Sequence, residues 1–295
     1  MPGPEHYNTV RYLKAKAAVD DDALNARVYD ALAHGISDMG GKPLRVIELG
    51  AGVGSTFRRL FERGLLSSGE YTMVDHDSES LEEASRAANA ILDSSGGTEL
   101  SVNPVVGDAV AYLQGEAEAG RLADVIIAQA LVDLLNVPEF LGAAANALRP
   151  GGLLYLPITF DGETVFEPTA NAVLNARVFD SYHRAMDDRR TPNGLPTGGR
   201  KAGRTLLTEI PQAGLEIAAA GSSDWVVYPQ DGGYPEDVAY FLHHIINFVW
   251  ETLSENAVVF SAGLEEWVAG RHRQVELGEL IYIAHQLDVL ARKPG

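Results

Sequence analysis

The chain has 295 residues and a formal net charge of −18 at pH 7. This charge disfavours DNA or RNA as a partner, because nucleic-acid affinity comes largely from lysine and arginine. The sequence contains no cysteine, which excludes disulfides, thiolate zinc sites and a cysteine nucleophile. It has neither a secretory signal pattern nor an apolar run of the roughly 20 residues that span a membrane. We therefore expect a cytoplasmic protein that does not enter the membrane.

The first half of the chain alternates between predicted helices and strands. Two helices are expected in residues 5–39, and the apolar run LRVIEL then leads through a glycine loop into the helical stretch STFRRLFERGLL. Further strands are predicted at YTMVDHD, LSVNPVVGDA, ADVIIAQ and LLYLPITF, with helices between them. Strands that alternate with helices at this spacing predict a mostly parallel, doubly wound sheet.

The pattern changes after residue 160. A helix is predicted at NAVLNARVFDSYHRAM, a flexible loop at TPNGLPTGGRKAGR, and long strands at LEIAAAGSSDWVVYP and ELIYIAHQLDVLARK. A helical segment separates these last strands, which would pair as an antiparallel edge. The predicted fold is α/β, with a doubly wound, seven-stranded, mostly parallel sheet whose last strand is antiparallel. One overall domain is expected, made of an N-terminal helical lid (1–40), a Rossmann-like core (41–160), a linker helix, loop and sixth strand (161–233), a helical insertion (234–278) and the last strand (279–295).

The glycine loop in VIELGAGVGS is the clearest motif of the chain. Gly50, Gly52 and Gly54 stand two residues apart, and glycine lets the backbone turn tightly and approach a ligand. The dinucleotide fingerprint instead spaces its glycines as G-x-G-x-x-G. A phosphate-binding P-loop would need Lys followed by Ser or Thr, which is absent here. The spacing therefore argues against both of these ligands as first choices.

The loop E-L-G-A-G-V-G resembles motif I of the class I S-adenosylmethionine-dependent methyltransferases of the small-molecule type. Asp75 at the end of the second strand and Asp108 at the end of the third continue this resemblance, as do ADVIIAQALVDLL and the turn LRPGGLLYL. The similar region covers roughly residues 40–160. It implies a Rossmann-like fold with S-adenosylmethionine as cofactor and S-adenosylhomocysteine as product. The implied reaction is methyl transfer to an O, N or C atom of a small molecule by in-line displacement.

The resemblance also implies which residues hold the cofactor. Glu48 and the backbone around Gly50 and Gly52 would position its methionine end, while Asp75 would accept hydrogen bonds from both ribose hydroxyls. His76 would either stack on the adenine or face solvent. The complete expected set is Glu48, Gly50, Ala51, Gly52, Gly54, Asp75, His76, Gly107, Asp108, Ala109 and Gln129.

The helix PEDVAYFLHHIINFVWETL provides a hypothesis for the acceptor site. One face is an apolar stripe that is expected to pack, whereas the other carries Tyr240, His243, His244 and Asn247. We expect this polar face to line the acceptor pocket, with His243 or His244 as a base. The alternative is a buried, structural histidine pair. The expected substrate-binding residues are Tyr7, Arg11, Tyr12, Tyr240, His243, His244 and Asn247.

Further functions stay open at this point. A related fold transfers aminopropyl groups, but the aspartate-rich polyamine site of such enzymes is not apparent. The chain could also bind the cofactor without turnover or be an NAD-linked enzyme. No metal site is expected, because adjacent helical residues point about 100° apart and no third ligand is evident. The expected partner is a small-molecule substrate, and a homodimer is left open. The basic stretch formed by Arg189, Arg190, Arg200, Lys201 and Arg204 is interpreted as an exposed loop.

Overall fold

A computed structural model describes residues 3–256, 259 and 262–295. Its α-helices are α1 (Thr9–Ala23), α2 (Ala26–Ser37), α3 (Ser55–Glu62), α4 (Ser78–Ser94), α5 (Ala109–Glu118), α6 (Val137–Ala147), α7 (Ala172–Asp188), α8 (Ala202–Gln212), α9 (Val238–Leu253) and α10 (Leu264–Glu276). Its strands are β1 (Leu44–Leu49), β2 (Ser68–Asp75), β3 (Glu99–Val106), β4 (Ala123–Ala128), β5 (Leu148–Glu167), β6 (Glu216–Ser222), β7 (Trp225–Val227) and β8 (Ile281–Arg292). Short 3₁₀ helices lie at Val132–Leu134 and Gly199–Lys201.

All these strands form one sheet in the order β3-β2-β1-β4-β5-β8-β6, with β7 also paired to β8. Strands β1 to β5 are parallel, whereas β8 runs antiparallel to β5, β6 and β7. The predicted doubly wound sheet and its antiparallel edge are therefore confirmed. The described part of the chain has eight strands rather than the predicted seven. The predicted sixth strand is interrupted because the Asp224 carboxylate, rather than a strand backbone, accepts the hydrogen bond from the Gln286 N–H at 3.3 Å.

Helices cover both faces of the sheet, as expected for parallel strands that are buried on both sides. Val46 and Tyr71 point into a core shared with α2, α3 and α4. Ile47 and Val74 occupy the alternate positions of the same two strands and point into a second core shared with α5, α6 and α8. The predicted lid contains two helices. The second of them, α2, packs on the sheet, whereas α1 packs against α9 and β7.

A third apolar core lies beyond the parallel sheet. Strand β5 does not end near residue 160 as predicted but continues to Glu167 through two register shifts, paired with β8. Phe166, Trp225 and Tyr282 of these antiparallel strands pack among the apolar side chains of α1, α7, α9 and α10. The stretch DGET, with its glycine and two acids, is typical of a loop, so the sequence pattern hides this extension. The extended strands carry a helical layer that faces the carboxyl ends of the parallel strands.

The predicted flexible loop at 191–204 is partly ordered. Arg200 donates its backbone N–H to Asp187 at 3.1 Å, and Arg204 binds the buried Asp161 through its backbone and guanidinium. Helix α8 follows directly. These side-chain acceptors supply the local hydrogen bonds that allow a Gly-rich and Pro-rich segment to enter a helix. Within the described residues, no helix has the length and apolar character to cross a membrane.

Candidate active site

A cavity of about 800 Å³ lies where the parallel strands end. Its wall runs from the loop after β1 and the end of β2, past the end of β4, to β5 and β8. With roughly 4.8 Å between neighbouring strands, β2 and β5 are about 14 Å apart. Helices α1, α7 and α9 close the side opposite the sheet edge. The cavity can therefore hold two groups next to each other, one over β1 and β2 and the other over β4, β5 and β8.

The glycine loop forms the first end of the cavity. Gly50 and Gly52 have φ values of 65° and 52°, in the left-handed region that favours glycine. The N–H groups of Gly50 and Ala51 donate to the carbonyl of Val74 at 2.8 and 3.2 Å, which ties the loop to β2. Gly50, Ala51 and Gly52 line the cavity. Gly54 lies behind it, as the N-cap of α3.

Asp75 stands at the carboxyl end of β2 and faces the loop. Its Oδ2 accepts the N–H of Gly52 at 2.8 Å, and its Oδ1 accepts the N–H of Asp77 at 3.0 Å. These bonds fix the carboxylate in the cavity wall, and each oxygen keeps a further lone pair for a ligand. The His76 side chain, which also borders the cavity, is 91% exposed.

Residues Gly107, Asp108 and Ala109 follow β3 beside the backbone of Asp75 but lie outside the described cavity wall. Gly107 donates its N–H to the carbonyl of Asp75 at 2.9 Å. Asp108 is the N-cap of α5, and its Oδ1 accepts the N–H of Ala111 at 2.8 Å.

Glu48 is a carboxyl group enclosed beneath the loop. It is 1% exposed, and its Oε2 accepts a hydrogen bond from the Tyr71 hydroxyl at 2.8 Å. Burial raises the pKa of Glu48 to about 7, against the opposing effects of hydrogen bonds from Thr56 and Tyr71. The side chain lines the cavity, so it presents a carboxyl group that is half ionised near neutral pH.

Gln129 stands at the end of β4 within a buried polar network. Its Nε2 donates to Asp20 Oδ2 at 2.8 Å, and its Oε1 accepts from Arg59 at 2.9 Å. Asp20 also accepts from the Trp225 indole at 2.9 Å and forms an ion pair with Lys16. The network joins α1, α3, β4 and β7, and so fixes the covering helix α1 over the glycine loop.

The polar face of α9 does not line the cavity, contrary to the prediction. Tyr240, His243, His244 and Asn247 are absent from its described wall, which instead receives Ile245, Phe248, Val249, Glu251 and Thr252 from this helix. His243 Nδ1 lies 2.8 Å from Nδ1 of His272 on α10. His244 stacks on Tyr12 with 4.3 Å between ring centroids. Burial lowers the pKa of both α9 histidines, so the interpretation as a structural histidine pair describes them better.

The N-terminal candidates mainly fasten α1 to α9. Arg11 binds Asp237 through two bonds of 2.7 Å and lies 3.9 Å from the centre of the Tyr240 ring. The Tyr240 hydroxyl in turn accepts the N–H of Asn8 at 2.6 Å. Of the predicted residues Tyr7, Arg11 and Tyr12, only Tyr12 lies in the described cavity wall. The aromatic and histidine residues of this helix face therefore hold the cover in place.

The second end of the cavity contains residues that the sequence did not single out as binding residues. Asp133 and Arg189 lie in its wall, with 4.0 Å between a carboxylate oxygen and Nη1. The sequence predicts that Arg189 belongs to an exposed loop, whereas only 33% of its side chain is exposed. The amide oxygen of Gln286 is buried in the same wall without a protein partner. Six aromatic residues complete this end: Tyr12, Phe160, Tyr182, Trp225, Phe248 and Tyr282.

One sequence signal could have identified Asp133. It stands in ALVDLL, directly after a buried strand, and ligands of open α/β sheets bind beyond the carboxyl ends of such strands. Arg189 and Gln286 carry no comparable local signal, because α7 is placed by contact with the extended part of β5 and Gln286 by the antiparallel pairing of β8 with Phe160.

Comparisons with known proteins found one matching family model and several similar solved structures. A family model described as a methyltransferase domain matches residues 47–156, whereas a search of curated proteins found no match. Similar solved structures include S-adenosylmethionine-dependent methyltransferases from Thiobacillus denitrificans and Geobacter sulfurreducens, both in complex with S-adenosylhomocysteine, and YjhP from E. coli.

These three proteins are 15%, 14% and 15% identical to this chain, with TM-scores of 0.47, 0.46 and 0.48. The alignments cover 98%, 96% and 97% of this chain and 99%, 98% and 99% of those chains, respectively. At such identities the likeness concerns the fold alone. The chain thus contains a methyltransferase domain at residues 47–156.

Proposed function

We propose that this enzyme methylates a small molecule that binds in the same cavity as the cofactor. The observation that carries the proposal is the continuity of the cavity from the glycine loop and Asp75 to the aromatic end at β4, β5 and β8. The bound cofactor would supply an activated methyl group on a sulfonium. The protein then has to align the acceptor with that methyl group and exclude water.

The cofactor fits the first end of the cavity on chemical grounds. A ribose diol needs an acceptor with two oxygens, and Asp75 is fixed by two backbone N–H groups with lone pairs to spare. Glu48 supplies a carboxylate for the positively charged methionine end. We infer that the adenine extends outward past His76 toward Gly107, Asp108 and Ala109, because these residues adjoin Asp75 on the open side.

The properties of the second end favour a flat and largely apolar acceptor. Six aromatic side chains line it, and rings of this kind bind flat molecules through stacked or edge contacts. The free amide oxygen of Gln286 would accept one hydrogen bond from such a ligand. A pocket lined mostly by apolar side chains with a few polar groups is typical of small-molecule sites.

Calorimetry with S-adenosylhomocysteine tests the cofactor end of the proposal. We expect Asp75→Asn to weaken binding at least tenfold, because hydrogen bonds to a charged group contribute about 1.5–3 kcal/mol each. Asp93→Asn, an exposed aspartate on α4, is the matched control and should bind like the wild type. Absence of binding to the wild-type protein would overturn the proposal.

Turnover assays separate methyl transfer from the competing functions. Labelled S-adenosylmethionine is offered with a panel of small aromatic acceptors, and its decarboxylated form is offered with a polyamine in a parallel assay. Methyl transfer in the first assay supports the proposal. Aminopropyl transfer in the second would favour an aminopropyltransferase, and cofactor binding without any turnover would favour a binding protein.

A further inference from the structure

The second end of the cavity contains several ionisable side chains, and among the described residues of its wall Asp133 is an enclosed acid without a hydrogen bond to another side chain. We propose that Asp133 is the general base of methyl transfer and that the acceptor is an aromatic alcohol. This inference rests on the proposed function, since it assigns the acceptor to the aromatic end of the cavity. It adds a catalytic residue and a substrate class.

The three tyrosines in this part of the wall are unsuitable as bases. Burial raises the pKa of Tyr12 and Tyr182 and raises that of Tyr282 well above its ordinary value. Their hydroxyls therefore stay protonated at neutral pH and act as hydrogen-bond donors. They contribute apolar ring surface and polar contacts rather than proton removal.

The other acids are already engaged or lie in solvent. Asp20 accepts hydrogen bonds at both oxygens, from Trp225 at Oδ1 and from Gln129 at Oδ2, and also pairs with Lys16. Glu251 is exposed, and its Oε1 accepts a hydrogen bond from Asn247 at 2.9 Å. Asp20 is therefore paired with an adjacent lysine, and Glu251 lies in solvent rather than between the aromatic rings.

Asp133 differs from these acids in both position and partners. It belongs to the 3₁₀ turn Val132–Leu134 after β4, and its side chain is 15% exposed. Arg189 is its only ion-pair partner within the described residues, at the long distance of 4.0 Å. Tyr182 and Arg189 face it from α7 and its C-cap, and Lys16 and Tyr12 face it from α1.

The ionisation of Asp133 suits a base that works near neutral pH. Burial raises its pKa to about 6, and the charge of Arg189, a hydrogen bond from its own backbone N–H and the charge of Lys16 limit this rise. The carboxylate is therefore mostly ionised at pH 7 while being more basic than an ordinary aspartate. An efficient general base has a pKa close to the working pH.

The proposed step conserves atoms and electrons. The oxygen of the aromatic alcohol forms a bond to the methyl carbon as the bond from this carbon to the sulfonium sulfur breaks, and the sulfur keeps that electron pair. The O–H proton passes to a carboxylate oxygen of Asp133. The products are a methyl ether, S-adenosylhomocysteine and protonated Asp133, which returns its proton to solvent.

Two probes with the same ring system test this assignment. 2-Naphthol carries an O–H nucleophile, whereas 2-(methylthio)naphthalene offers a sulfur nucleophile that has no proton to lose. With labelled S-adenosylmethionine, we expect the wild-type enzyme to methylate 2-naphthol, with kcat/KM rising through pH 6. Asp133→Asn should lower kcat for 2-naphthol by about 10²–10⁴-fold and remove this rise.

The controls separate a catalytic effect from a structural one. Asp133→Asn should keep the wild-type affinity for S-adenosylhomocysteine, and Asp180→Asn, an exposed change on α7, should keep both the rate and the pH profile. The inference would be overturned if Asp133→Asn methylated 2-naphthol at the wild-type rate. It would also be overturned if the wild type did not methylate 2-naphthol, or if it methylated the thioether alone. Loss of S-adenosylhomocysteine binding by the wild type would instead overturn the proposed function.

Discussion

Replacing Glu48 by glutamine should change how the stability of the free enzyme depends on pH. The carboxyl group of Glu48 is enclosed beneath the glycine loop, and burial raises its pKa from 4.5 to about 7. Each tenfold change in proton affinity corresponds to about 1.4 kcal/mol. Ionising this group within the fold therefore costs about 3 kcal/mol relative to ionising it in the unfolded chain.

The sign follows from where the proton is held more tightly. Between pH 4.5 and 7 the folded protein keeps the Glu48 proton that the unfolded chain releases, so this group makes the free energy of unfolding fall as the pH rises. The loss is complete above pH 7. Glutamine keeps an oxygen for the Tyr71 hydroxyl but cannot ionise. Glu48→Gln should thus gain about 2–3 kcal/mol over the wild type between pH 5 and pH 8.

Urea unfolding of the cofactor-free protein at several pH values measures this difference. Glu99→Gln, which changes an exposed carboxylate at the start of β3, is the matched control and should keep the wild-type pH dependence. Parallel pH profiles for Glu48→Gln and the wild type would show that the reasoning about the buried carboxyl is wrong.

Two further predictions concern buried polar contacts. Trp225→Phe should lower the free energy of unfolding, measured in urea, by about 1 kcal/mol more than Trp267→Phe does. Both tryptophans are 7% exposed, but the Trp225 indole donates to the carboxylate of Asp20, whereas the Trp267 indole donates to a neutral amide. Equal costs would contradict this account. The second concerns His272. Burial and the neighbouring His243 lower the pKa of His272 to about 4. The folded protein should therefore lose stability as the pH falls from 6.5 to 4, and His272→Asn should flatten this part of the profile. Thermal unfolding across this range tests the prediction, and an unchanged slope would refute it.

The parallel half of the fold and the first end of the cavity could be predicted from the amino-acid sequence. Strand and helix periodicities are local properties, and so are the glycines that allow φ values of 65° and 52° at Gly50 and Gly52. Asp75 could be identified because it ends a buried strand, at the position where the resemblance to the methyltransferases implies a ribose-binding acid. In parallel sheets the carboxyl ends of all strands meet at one edge, so local signals were sufficient to bring these residues together.

The second end of the cavity depends on contacts that form only in the folded chain. Periodicity distinguishes the two faces of α9 but does not tell which of them meets a cavity, and its Tyr and His face packs against α1 and α10. Arg189 reaches the wall at the end of α7, which contacts the part of β5 beyond residue 160, and Gln286 reaches it because β8 pairs with β5 opposite Phe160. Pairing between segments more than 100 residues apart depends on contacts that no local pattern encodes. The glycine loop could therefore be predicted from the sequence, whereas the position of Asp133 opposite Arg189 required the assembled sheet.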